Sequence, residues 1–447
     1  MPRLLIRKAT VVDPSQGLHA PMDVLAEDGR IAALNNRIDA EPDMTVVEAE
    51  GLVLAPGFID IHVHLREPGG EGAETIETGT RAAAAGGFTT IYAMPNTNPV
   101  CDTHTGVHYV LSRAANVGCI RVVPVAAITI GQQGERLTDF GLLKAAGAGA
   151  FSDDGHPVMN SEIMRRALEY TRMLEVPVME HCEDMNLTGE GVMHEGPVSL
   201  RLGLRGIPRV SESVMVARNI ALAAMTGGHI HICHVSTRES VEAIREGKRN
   251  GVHVTAEVSP HHLTLTDSAV IGYNTNAKMK PPLNAEVDRH ALIAALEDGT
   301  IDCIATDHAP HGASAKNSVF DAAPFGIIGL ETAFPLLYTE FVATGRWSID
   351  FLIERLTQAP ASVVRQPWGS LSPGSAADMV LIDTNCSYTF TDAHLRSKSR
   401  NSPFLGRTMK ARIVSTYHDG RCVFQTTPDE VAGDDQKPRR ARKAIKR

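Results

Sequence analysis

Eight short β-type runs, each followed by a stretch of helical character, occupy the chain between Gly57 and Ala305: residues 57–63, 89–94, 120–126, 148–152, 176–180, 229–233, 252–258 and 301–305. Nearly continuous apolar strands separated by amphipathic or alanine-rich segments (75–85, 162–174, 211–225, 236–250) are the pattern of βα units whose parallel sheet is covered on both faces. Eight such units, with a span from His62 to Asp307 close to the roughly 250 residues a closed array needs, predict an α/β fold, a (β/α)₈ TIM-like barrel. An open doubly wound sheet is the rival, but the sequence has no glycine-rich dinucleotide fingerprint.

The two ends of the chain have a different texture. Short β-type runs at 4–6, 10–12, 22–25, 31–34 and 45–48 alternate with turn residues such as Asp13-Pro14 and Asp28-Gly29, and the same texture returns after Gly369 at 378–383, 412–416 and 421–424. The ends are therefore expected to pair into one small antiparallel β-sandwich domain, with the barrel inserted in it. The division is 1–54 and 366–430 for that domain, 55–365 for the barrel, and 431–447 for a basic, disordered tail.

Composition excludes several function classes. A net charge of -9 argues against nucleic acid as the main partner, and no apolar run is long enough to span a bilayer. The N-terminus, Met1-Pro2-Arg3-Leu4-Leu5-Ile6-Arg7-Lys8, becomes charged again before a signal-peptide core could form. Seven cysteines without paired spacing fit a reducing compartment, with the thiols as packing residues. A cytoplasmic protein is expected.

The chemistry-bearing residues fall on the ends of the eight runs. His62 and His64 close run one, Asp153 and Asp154 follow run four, His181 follows run five, His234 run six and Asp307 run eight. Alternate side chains of a strand share a face, so His62 and His64 can bind one ion together, and Arg66 is placed to take an anionic group beside it. Singly, each has a plain alternative: a His-x-His can be a surface strand, His181 and His234 can be core residues, and Asp307 can cap a helix. Jointly, all would open onto one face of a barrel, where active sites of this fold sit. Imidazole and carboxylate ligands without cysteine suit zinc, with manganese or cobalt as substitutes, and five or six of them suit two ions sharing a carboxylate.

Four stretches carry a resemblance: Asp60-Ile61-His62-Val63-His64-Leu65-Arg66-Glu67-Pro68-Gly69, Met94-Pro95-Asn96-Thr97, Phe151-Ser152-Asp153-Asp154-Gly155 and Ala305-Thr306-Asp307-His308-Ala309-Pro310-His311. On these the chain resembles the dihydroorotases of the bacterial type I group, in the amidohydrolase superfamily, over essentially residues 1–430. The resemblance implies reversible, zinc-dependent cyclisation of N-carbamoyl-L-aspartate to (S)-dihydroorotate in pyrimidine nucleotide synthesis. It implies that His62, His64 and Asp307 hold one zinc ion, that His181 and His234 hold a second, and that Asp154 bridges them, with Asp153 in support. Asp307 is also the implied catalytic base, taking a proton from the attacking water and returning it to the leaving nitrogen. Substrate contacts are implied for His64, Leu65, Arg66, Asn96 and His311, with backbone contacts at Phe325 and Gly326. Lys280 stands where the family usually has asparagine, and Asn284 where arginine is common. Lys280 is expected either to contact the substrate carboxylate or to turn outward.

The partners implied are a small-molecule substrate, further copies of the chain in a homo-oligomer and, as an option, aspartate carbamoyltransferase, with no membrane and no nucleic acid. Two rival functions stand beside this one. Hydantoinases, dihydropyrimidinases and allantoinases share the His-x-His and the final aspartate, but generally bridge their metals with a carboxylated lysine after run four, where this chain has Ser152-Asp153-Asp154. An inactive scaffold of the transcarbamoylase would have lost ligands, and here all six are present.

Overall fold

The computed structural model describes residues 3–427, so the expected basic tail at 431–447 lies outside the described residues. The eight runs form eight parallel strands hydrogen-bonded in chain order: Phe58–Val63, Phe88–Ala93, Arg121–Ala126, Ala150–Phe151, Val178–Glu180, Ile230–Ile232, Val254–Val258 and Cys303–Ile304. The ring closes between its last and first members, where the His64 N–H donates to the His308 carbonyl at 2.9 Å beside a parallel bridge from Val63 to His308. Helices such as Ile76–Ala85, Ser161–Leu174, Val210–Thr226 and Arg238–Arg249 fill the crossovers. Threonine side chains start two of them: Thr75 accepts from the Thr78 N–H and Thr237 from the Ser240 N–H.

These strands read as unbroken apolar runs because both of their faces are covered. Ile59, Ile61, Tyr92, Val125, Ala150, Met179, Cys233 and Cys303 pack in one cluster closed by Ala361, Val363 and Val364. The opposite faces, including Phe58, Phe88, Val122, Phe151, Val178, Ile230 and Val254, pack in the larger core with the helices. Cys101 and Cys182 are buried in that larger core, so with Cys233 and Cys303 four thiols act as packing residues.

In the domain built from both ends, eight strands hydrogen-bond as one continuous sheet. Val53–Pro56 joins the halves, antiparallel to Met379–Asp383 and parallel to Arg3–Asp13 through Thr10 and Val11. The sheet is mixed where antiparallel pairing was expected, because Met44–Glu48 also runs parallel to Arg3–Asp13. Its opening pair of runs is a single strand, Arg3–Asp13, bent by a register shift between Ile6 and Ala9 where Lys8 adopts φ 59°. Period-two alternation then divides the sheet's faces: Met379 and Leu381 enter the domain's own core with Ile6, Val11, Val24 and Leu54, while Val380 and Ile382 pack into the barrel's core. No described helix is long and apolar enough to cross a membrane.

Candidate metal centre

The first and last barrel strands are clasped just behind the site by Asp60. Its carboxylate accepts the His62 N–H at 3.0 Å, the Thr306 N–H at 3.2 Å and the Thr306 hydroxyl at 2.5 Å. Burial pushes this carboxyl up to about 7 in spite of those bonds. The clasp brings His62 and His64 to face Asp307. Just past their strand ends Arg66, His234 and Asp307 adopt φ 60°, 33° and 47°, the left-handed region that non-glycine residues enter at a cost of roughly 1–3 kcal/mol each.

All six expected ligands are buried. His62 Nε2 lies 3.4 Å from Asp154 Oδ1 and 3.6 Å from Asp307 Oδ1, and His64 Nε2 lies 3.3 Å from Asp154 Oδ2 and 3.3 Å from Asp307 Oδ1. On the other side His234 Nε2 and His181 Nδ1 lie 3.7 and 3.9 Å from Asp154 Oδ1, and 2.9 Å from each other. Asp154 thus faces both histidine pairs. Burial opposes its charge, yet the imidazoles of His62, His234 and His64 hold its carboxyl well below the usual range, and His62 and His64 do the same for Asp307.

This donor set fits a cation. His62, His64 and Asp307 form one group whose ligand atoms lie within 4.8 Å of one another, and His62, Asp154 and His234 form a second. Among the described residues His62 Nε2 and Asp154 Oδ1 are buried without a hydrogen-bond partner, a state that costs about 1–3 kcal/mol per group unless something binds there.

Behind the expected ligands stands a layer of carboxylates and an amide. Glu257 Oε1 accepts from His62 Nδ1 at 2.6 Å, and its other oxygen lies 3.1 Å from His231 Nε2. Burial disfavours its charge, but His62 and His231 bring it down to about 2. Glu183 Oε2 lies 2.9 Å from His181 Nε2, which leaves Nδ1 of that ring for the site. Asn96 Oδ1 accepts from His64 Nδ1 at 2.9 Å and its amide nitrogen lies 3.4 Å from Asp154 Oδ2, so this expected substrate contact also orients two of the expected ligands. Asp153 turns away from the site and accepts the Ile128 and Thr129 N–H groups at 2.8 and 3.1 Å. Glu257 and Glu183 are not among the sequence-based expectations, although a glutamate inside an apolar run and another two residues after His181 were the available signals.

On the open side Arg66 donates from Nε to the Pro310 carbonyl at 3.2 Å, with Nη2 3.4 Å from His311 Nε2. His311 in turn donates to the Phe325 carbonyl at 2.7 Å, so these expected residues lie together. Gly326 has φ 150°, and a Cβ there would come within 2.6 Å of the Ala309 carbonyl oxygen and 2.8 Å of the His311 ring, which only glycine avoids. Asn401, far along the chain, ties this corner together by accepting the His311 N–H and donating to the Ala309 and Gly326 carbonyls. The Leu65 side chain is buried in the barrel's core. Lys280 neither points outward nor stands alone: its ammonium lies 3.0 Å from Glu183 Oε1 and over the Phe325 ring. Asn284 donates to the Ser236 carbonyl and hydroxyl at 3.0 and 2.9 Å, securing the turn after His234.

The description "Dihydro-orotase-like" belongs to the family model that matches residues 51–240. A dihydroorotase from Pelotomaculum thermopropionicum is 51% identical over 423 residues, covering 95% of this chain and 99% of that one. Another from Halalkalibacterium halodurans is 48% identical, covering 95% and 98%. Among solved structures, an L-hydantoinase from Arthrobacter aurescens superposes with a TM-score of 0.86 at 23% identity, over 95% of this chain and 96% of that one. A dihydropyrimidinase from Brevibacillus agri gives 0.82 at 23% identity, over 95% of each chain. At that identity the two structures speak for the fold alone, a barrel with a second sheet domain. Sequence relatives that agree at half of their positions along nearly the whole length carry the finer assignment, and the chain belongs to the dihydroorotase family.

Proposed function

We propose that the chain interconverts N-carbamoyl-L-aspartate and (S)-dihydroorotate in pyrimidine synthesis in the cytoplasm, with two zinc ions held by His62, His64, Asp154, His181, His234 and Asp307. The observation that carries the reading is Asp154 standing between two buried histidine pairs with Asp307 against the first. When bound, the ions supply Lewis acidity to the ring carbonyl and lower the pKa of water. Asp307, kept ionised by the imidazoles around it, accepts the proton of the attacking water and returns it to the ring nitrogen as the amide opens. Arg66, fixed through Nε to Pro310, offers its remaining N–H groups to the substrate carboxylate, and Asn96 and His311 border the same position. Backbone groups of Phe325 and Gly326 complete the edge that meets the ring. The division into an end domain of 1–54 and 366–430 around a barrel of 55–365 belongs to the same proposal.

The rival reading, a hydantoinase or dihydropyrimidinase, is disfavoured by Asp154 in the place where those enzymes use a carboxylated lysine. Steady-state hydrolysis of dihydroorotate, dihydrouracil and hydantoin by the zinc-loaded protein tests the choice. Turnover of dihydroorotate with the uncharged rings poorer by at least about 100-fold, as expected when a desolvated charge pair is lost, supports the proposal. Efficient turnover of dihydrouracil would move the chain to the dihydropyrimidinases.

A further inference from the structure

A continuous polar path leads from the site into the interior of the barrel. Ile230–Ile232 and Val254–Val258 pair in parallel with His231 opposite Thr255, so His229 and His231 on one side meet Thr255 and Glu257 on the other. His229 Nε2 lies 2.7 Å from Thr255 Oγ1, which lies 2.9 Å from His231 Nδ1. His231 Nε2 lies 3.1 Å from Glu257 Oε2, and Glu257 Oε1 lies 2.6 Å from His62 Nδ1. The path ends at His229, whose Nδ1 is buried with no hydrogen-bond partner among the described residues and whose ring stacks on the exposed His253 at 3.9 Å. Barrel interiors of this fold are ordinarily filled by layers of branched apolar side chains, so a file of polar groups here is a cost that packing alone does not return.

Proton accounting gives the path a direction. An ionised Glu257 can only accept, so His62 Nδ1 and His231 Nε2 both donate to it. With one proton on the His231 ring, Nδ1 keeps a lone pair that the Thr255 hydroxyl meets by donating, and the Thr255 oxygen takes the N–H of His229 Nε2. Every link has one donor and one acceptor. Turning any member round would set two donors or two acceptors against each other. With its Nδ1 committed as the donor to Glu257, His62 turns Nε2 towards Asp154 and Asp307, and Nε2 is the nitrogen that can give up its proton to an ion there.

We infer that His231, with Thr255 and His229 behind it, is a positioning residue that holds Glu257 so that His62 is fixed as the Nδ1-protonated tautomer with Nε2 free to bind the ion. The inference rests on the reading of His62 as a metal ligand. Partners of this kind typically contribute 10–100-fold to metal affinity, and here the support extends three residues further than the carboxylate, through His231, Thr255 and His229.

Competition between the zinc-loaded full chain and a chromophoric chelator, reading zinc withdrawn at equilibrium, tests it in the parent, His62→Ala, His231→Phe, His231→Gln and Thr255→Val. His231→Phe should weaken retention of one zinc ion by about 10-fold or more. His231→Gln, which restores an N–H towards Glu257, should recover most of that loss, and Thr255→Val should lose less in the same direction. Parent-like retention in His231→Phe, or a Gln variant as weak as the Phe variant, would overturn the inference. If the Phe variant does not fold, Thr255→Val decides, and parent-like retention there counts against the path. Should His62→Ala keep both ions as tightly as the parent, the ligand reading itself fails. Loss in His62→Ala beside parent-like His231 variants sinks only the positioning role.

Discussion

Replacing Arg66 with alanine should remove substrate affinity while leaving the metal centre intact. The guanidinium is only partly exposed, its Nε is fixed on the Pro310 carbonyl at 3.2 Å, and none of the six proposed ligands depends on it for a hydrogen bond. Its remaining N–H groups can therefore meet a carboxylate without further ordering of the side chain. For two unit charges about 4 Å apart at an effective dielectric of about 20, the attraction is about 4 kcal/mol, and truncating one partner of such a pair typically costs 2–5 kcal/mol. Each 1.36 kcal/mol is a factor of ten, so kcat/KM for dihydroorotate should fall by roughly 30- to 5,000-fold. The loss should appear mainly in KM, because the carboxylate is bound in the ground state and the transition state alike. Arg66→Lys should be intermediate, since an ammonium cannot both hold Pro310 and offer a planar pair of donors. Steady-state kinetics with metal analysis on the same samples is the assay. A change of less than about threefold in kcat/KM would remove Arg66 from substrate recognition, and loss of metal from the alanine variant would make it part of the metal site.

Asp307→Asn should abolish turnover at every pH while much of the metal stays bound, because the amide cannot take the proton; near-normal activity would remove Asp307 as the base. Asp154→Ala should lose one ion first, since His181 and His234 alone make a weak site, and reconstitution of the parent should be indifferent to bicarbonate, which metal analysis in carbon-dioxide-depleted buffer reads directly. Lys316 tests the electrostatics of the loop beside the site: its ammonium donates to the Thr275, Lys278 and Pro324 carbonyls, and burial, with Lys278 nearby, pushes its pKa from 10.5 down to about 7. Between those two values the unfolded chain binds the proton and the folded chain does not, so this group makes stability rise with pH through that window, with its penalty fully present below about 7. Denaturant midpoints at pH 7 and pH 10 should therefore differ less in Lys316→Met than in the parent, and an unchanged difference would show that the lysine stays charged.

Much of the barrel was legible because burial on both faces leaves a strand no choice but an apolar run, and because one face gathers the strand ends. That is why the sequence alone points to His62, His64, Asp154, His181, His234 and Asp307, spread over the chain, as neighbours at one face. What was hidden depends on pairing across strands rather than on pattern along one. Glu257 sits inside a run that reads as apolar, and only its parallel alignment beside His231 and its approach to His62 give it meaning. Asn401 reaches the site from the other end of the chain through three hydrogen bonds that no spacing announces. The mixed end sheet was hidden for a related reason: adjacency of short β-type runs suggests hairpins, whereas Met44–Glu48 and Val53–Pro56 both return parallel to Arg3–Asp13. Lys280 read as a departure from the family, and its ion pair with Glu183, which also holds His181, shows how the exchange is accommodated.

Under the proposed function Asp154 bridges two ions held by its neighbouring histidines. Anomalous diffraction from crystals of the zinc-loaded protein, collected above and below the zinc absorption edge, tests it most directly. Two anomalous peaks are expected to flank the Asp154 carboxylate, one within ligand distance of His62 and His64 and the other within ligand distance of His181 and His234, at about 2.0–2.2 Å from each ligand atom. A single peak, two peaks with Asp154 bound to neither, or a carboxylated lysine between them would contradict it.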